Sequence, residues 1–65
     1  MNWEQVEGKW DQVKGDIKSK WGKLTDDDLM DVRGKREKLV GKIQEKYGEI
    51  KDAAEKKVDE YIANL

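Results

Sequence analysis

The sequence predicts an all-α protein, a small bundle of about four helices forming two helical hairpins, with helices near residues 3–21, 26–32, 35–47 and 50–63. Three observations predict it. Apolar side chains recur at steps of three and four, the spacing of a helix with one buried stripe. The stretch 6–24 repeats at 32–50. No proline interrupts either copy, and no alternating β-branched run marks a strand.

The repeat appears when VEGKWDQVKGDIKSKWGKL is laid on VRGKREKLVGKIQEKYGEI. Identical pairs are Val6/Val32, Gly8/Gly34, Lys9/Lys35, Gly15/Gly41, Ile17/Ile43, Lys20/Lys46 and Gly22/Gly48. Val13/Leu39, Trp21/Tyr47 and Leu24/Ile50 keep apolar character. With only two copies, a closed bundle is expected rather than an extended array, and residues 1–65 read as one domain.

In the first copy Val6, Trp10, Val13, Ile17, Trp21 and Leu24 form the stripe. Trp3, Trp10 and Trp21 fall within about 20° of one another on a continuous wheel. In a chain without phenylalanine they are the natural bulk of a small core, a reading that outweighs a face for a membrane, ligand or partner.

The second helix follows KLTDDDLMDV. Thr25, with Asp28 three positions on, is close to a capping box, in which side-chain oxygens accept the first unpaired backbone N–H groups. The aspartates also suit the positive end of the helix dipole. A short helix here should bury Leu29 and Val32, with Met30 as a further candidate. Asp26, Asp27, Asp28 and Asp31 lack the alternating ligands, central glycine and distant glutamate of a calcium loop, so capping is the expected role and no metal is expected.

The second copy carries Val32, Leu39, Ile43, Tyr47 and Ile50 at the same steps, with the third helix at its centre, and the last helix carries Ile50, Ala54, Val58, Tyr61 and Leu65 with Ile62 beside them. Lys35, Lys38, Lys42 and Lys46 lie within about 80° on the third helix, near Arg33 and Arg36. This strip is the candidate contact for a polyanion or a partner. No base-reading or stacking side chain shares the face, so nucleic acid is the disfavoured partner.

The glycines recur every seven residues opposite the apolar stripes. Gly22 and Gly48 suit left-handed caps, Gly8 and Gly34 stand where the entering chain needs an unusual dihedral, and Gly15 and Gly41 read as mid-helix. The last two serve either close packing or helix weakening.

Composition narrows function. Charged residues make up 45% of the chain and apolar residues 35%, near the border between globular and disordered proteins. A chain of 65 residues buries only ~60% of its unfolded surface, so marginal stability is expected. Fourteen basic and fifteen acidic side chains nearly cancel, and no bulk field draws the protein to nucleic acid or anionic membrane. There is no cysteine, no histidine, no leader-like start and no apolar run of membrane-spanning length. A cytoplasmic monomer is expected. Without histidine or a phosphate-cradling loop, no enzyme, cofactor or small-molecule substrate is expected.

The run WGKLTDDDLMDVRGKREKLVGKIQEKYG, residues 21–48, together with the opening MNWEQVEGKWDQVKG and the tail AAEKKVDEYI, resembles the CsbD-like family of small bacterial stress-response proteins. The resemblance covers nearly the whole chain. It implies a helical cytoplasmic protein that accumulates in general, osmotic or stationary-phase stress, with no catalytic residues to carry over. Arg33 departs from it, standing where members usually carry an acid. Joined to the hydrophilic composition, the resemblance suggests a non-enzymatic, hydrophilin-like protectant. Alternatives are a binding module using the lysine strip, and an order–disorder switch weakened by its glycines.

Overall fold

A computed structural model describes all residues, 1–65, and is wholly helical apart from turns and ends. Five helices follow one another: α1 Trp3–Gly8, α2 Trp10–Lys20, α3 Asp26–Val32, α4 Arg36–Tyr47 and α5 Lys51–Ala63. α4 packs between α3 and α5, and α2 joins α1 to α3. Arg36, at the start of α4, reaches Asp59 late in α5, so these two helices run antiparallel.

Thirteen buried apolar residues form one core, drawn from every helix and from the turn after α2. Val6, Ile17, Leu39, Ile43 and Val58 are fully enclosed. The stripe residues of α2, α4 and α5 account for most of it. Val40, off the expected stripe, is also buried because α4 is covered from two sides. Removing methyl groups here leaves voids that a core this small cannot refill. Ile43→Ala should cost about 3 kcal/mol, measured by chemical denaturation with the wild type as reference.

The single helix expected over 3–21 is two helices. It breaks at Lys9, which closes α1 and opens α2 with φ −115° and ψ 27°. A straight helix over these 19 residues would be about 28 Å long. That is the full 28 Å long axis of the molecule, and Val6 could not then reach the core. The bend folds α1 back, and Val6 becomes fully buried.

Both short helices begin with reciprocal caps. Thr25 Oγ1 accepts from the Asp28 N–H at 3.1 Å while Asp28 Oδ2 accepts from the Thr25 N–H at 2.9 Å, so the expected cap is a complete capping box. Asn2 and Gln5 do the same at α1, a second box not among the expected caps.

The glycines divide differently from expectation. Gly48 is left-handed at φ 67° and Gly34 at φ 79°, but Gly8 and Gly22 are not. Gly8 is simply the last residue of α1. The chain leaves α2 through Trp21 instead, because the Leu24 N–H turns back onto the Trp21 carbonyl and Leu24 enters the core. In the second copy Ile50 precedes α5 and is 73% exposed, so the expected pairing of Leu24 with Ile50 as buried residues fails. Met30 and Leu65 also lie exposed, outside the core assigned to them or their stripe.

Arg33 adopts φ 48°, a left-handed conformation costly for a side chain with a Cβ, and closes α3. Its Nε donates to the Met30 carbonyl at 3.1 Å. Two successive left-handed residues, Arg33 and Gly34, thus turn the chain from α3 into α4.

Candidate functional site

The four strip lysines all belong to α4 or the residue before it, yet they meet different partners. Lys35 donates to Glu7 of α1 at 2.9 Å. Lys42 stands 3.3 Å from Asp31 and 3.5 Å from Asp28, and Lys46 stands 3.3 Å from Asp28. Lys38 alone among the four has no acidic partner. The strip is therefore not a free cationic surface: three of its four charges tie α4 to α1 and α3.

Asp28 is the hub of that arrangement. Its carboxylate caps α3 through Thr25 and receives two lysines from α4, while the residue is only 7% exposed. The Thr25 backbone N–H, aided by Lys46 and opposed by partial burial, lowers its pKa from the ordinary 3.8 to about 2. The adjacent carboxylates of Asp31 and Asp28 raise the pKa of Lys42, so that ammonium stays charged.

A carboxyl group whose pKa is lower in the folded state adds stability above its ordinary pKa, and this is lost as pH falls from about 4 through about 2. Asp59, lowered by Arg36, contributes in the same direction. The melting temperature of the wild type should fall on acidification below about pH 4, and Asp28→Asn should fall less steeply over that window while starting lower at neutral pH. Thermal melts at matched ionic strength check this.

A second polar cluster joins α4 to α5. Arg36 Nε and Nη2 grip Asp59 at 2.8 and 2.9 Å, and Nη1 reaches Glu55 at 3.2 Å. Bidentate geometry suits guanidinium and not ammonium. Arg36→Lys should therefore cost about 0.5–1 kcal/mol, and a double-mutant cycle with Asp59→Asn should show the coupling.

The aromatic side chains serve packing. Trp21 is buried and meets Tyr61 edge to face at 5.1 Å; Trp3 and Trp10 lie half-buried against the core. Trp10 Nε1 donates to the Leu29 carbonyl at 3.2 Å and pins α2 to α3. Tyr47 accepts from the Lys23 N–H at 3.1 Å, with the Lys23 ammonium over its ring. An open cleft among the ends of α2, α4 and α5 is lined by Trp21, Tyr47 and Tyr61 with Lys20, Glu49 and Glu60 among its polar groups.

No group of three or more histidine, cysteine, aspartate or glutamate side chains is placed to hold a metal ion. No helix is long and apolar enough to cross a membrane. The hub role of Asp28 and the Arg36 clamp are not visible in the sequence, because each depends on which helices pack together. The one available signal was the i, i+4 spacing of Lys42 and Lys46, which places both on one face.

The family model described as CsbD-like matches residues 4–56. A UPF0337 protein of Rhodopseudomonas palustris is 54% identical over 65 residues, covering 100% of this chain and 98% of its own. A UPF0337 protein of Rhodopirellula baltica is 62% identical over 61 residues, covering 94% of this chain and 90% of its own. The UPF0337 protein YjbJ of Escherichia coli is 57% identical over 61 residues, with 94% and 88% covered. No solved structure matches the chain. On the extent of these matches, the chain belongs to the CsbD-like family, a bacterial family associated with the general stress response.

Proposed function

We propose that this protein is a non-enzymatic cytoplasmic protectant that keeps other proteins soluble and recoverable when water becomes scarce. The observation that carries the reading is its surface. Fourteen basic and fifteen acidic side chains cover a core of thirteen apolar residues, and ion pairs such as Lys18–Asp26, Lys35–Glu7 and Arg36–Asp59 link different helices. Four large apolar side chains are left exposed, Met1, Met30, Ile50 and Leu65, of which Met1 and Leu65 meet at the chain ends, where both backbone nitrogens reach the Ile62 carbonyl. A strongly charged, hydrated surface of mixed sign resists non-specific apolar aggregation. Such a protein can separate other molecules without binding any of them tightly.

The test dries, or exposes to high salt, a labile enzyme with this protein and with an equal mass of an unrelated helical domain of similar size. Greater recovered activity with this protein is the expected result; equal recovery refutes the proposal.

The alternative, a module that holds a polyanion or partner on Lys35, Lys38, Lys42 and Lys46, draws on one uncommitted cation, Lys38. Binding there would have to compete with Asp28, Asp31 and Glu7. Retention on a polyanion at low salt, lost in Lys38→Glu, would favour it over protection.

A further inference from the structure

We propose that α1 is an exchangeable arm, and that two copies of this chain dimerise at high concentration by trading it. The hinge is one residue. Lys9 ends α1 and begins α2, and its φ of −115° and ψ of 27° lie about 50° in φ and about 70° in ψ from helical values, so rotation at this one residue straightens the chain. No side chain caps α2 at this point.

The bend leaves backbone hydrogen bonds unmade. In a continuous helix the Trp10 N–H would bond to the Val6 carbonyl and the Asp11 N–H to the Glu7 carbonyl, and neither bond exists in the bent chain. The Gln12 N–H turns to the Lys9 carbonyl at 2.9 Å. Straightening Lys9 restores the regular ladder. It also extends one unbroken stripe, since Trp3, Val6, Trp10, Val13 and Ile17 keep helical spacing across the hinge.

What holds the arm bent is its seat. Val6 is fully buried, Glu7 pairs with Lys35 at 2.9 Å, the Glu7 backbone rests on Gly34, and the Met1 ammonium donates to the Ile62 carbonyl at 3.2 Å. A straight arm vacates that seat and carries Val6 away from its own core. The occupant that fits the vacated seat is the α1 of a second copy, which brings the same side chains to the same partners. The exchange conserves every seat contact and adds the restored helix bonds, at the cost of joining two chains. Mass action therefore confines it to high concentration, of the order of the mM values typical of short intrachain links.

The test uses the absence of native cysteine. Two full-length variants, Glu7→Cys and Lys35→Cys, one of them isotopically heavy, are mixed, unfolded and refolded together at about 1 mM and, separately, about a thousandfold lower. A short bis-maleimide then joins nearby thiols, and mass spectrometry counts mixed pairs. The exposed pair Ser19→Cys with Lys35→Cys measures chance encounters. Exchange predicts at least a tenfold excess of Glu7–Lys35 links between chains at the high concentration and none at the low. Adding Gly8→Ala and Lys9→Ala to both chains, which favours the straight helix without steric conflict at position 8, should raise the linked fraction several-fold. Links no more frequent than the control overturn the proposal. So does light scattering that shows wild type and the double-alanine chain as monomers at the high concentration.

Discussion

Replacing Gly34 with alanine is expected to cost about 3 kcal/mol and to lower the melting temperature by roughly 15 °C or more. Two effects add. At φ 79° a Cβ meets its own backbone, worth about 1–2 kcal/mol. That Cβ would also lie 2.7 Å from the Cα of Glu7, and backbone atoms cannot swing aside as a side-chain tip can. Either Gly34 shifts or α1 lifts away. Gly48→Ala isolates the first effect, since φ is 67° there and nothing lies within 4 Å of an added Cβ. It should cost only about 1 kcal/mol, so the difference between the two variants measures the close approach of α1. A chain of 65 residues has about 3–10 kcal/mol of total stability, so Gly34→Ala is expected to be partly unfolded at physiological temperature.

The opposite result is expected at Gly15 and Gly41. Both lie inside helices, neither has a positive φ, and an added Cβ at either position meets nothing within 4 Å. Alanine should stabilise each helix by up to about 1 kcal/mol, through lower unfolded-state freedom and better helix propensity. The sites lie on different helices and share no partners, so Gly15→Ala/Gly41→Ala should gain up to about 2 kcal/mol, near 10 °C in melting temperature. Close packing within the chain is therefore not why these glycines are there. They hold the fold below the stability its own helices could reach.

The helical character of this chain was legible because periodicity is a local property. Val6, Val13, Ile17, Leu39, Ile43 and Val58 could each be assigned to a buried face from spacing alone, and each is buried. The Thr25–Asp28 cap was legible for the same reason: its partners are three residues apart. The break at Lys9 was not, because the stripe continues across it. What bends the chain there is the distant seat over Gly34, which no local pattern records. Ile50 and Leu24 occupy equivalent repeat positions, yet one is exposed and the other buried, because the first copy continues into α3 and the second into α5. The lysine strip shows the same limit. A wheel places four cations on one face, but only packing reveals Asp28 and Asp31 opposite Lys42 and Glu7 opposite Lys35.

These features bear on function together. Ion pairs such as Lys18–Asp26 and Lys35–Glu7 are solvent-exposed, worth at most about 1 kcal/mol each, and so contribute more to a balanced hydrated surface than to stability. Two open glycines keep the helices soft. A protectant acting through a folded, charged exterior needs the first property and tolerates loss of the second, whereas an order–disorder switch depends on softness. The most direct measurement is the recovery of a dried test enzyme with wild type, with Gly15→Ala/Gly41→Ala, and with an unrelated helical domain at equal mass. Protection by the folded surface predicts that wild type and the stiffened variant recover equal activity, both above the unrelated domain. Recovery no better than the unrelated domain, or protection lost on stiffening, would contradict it.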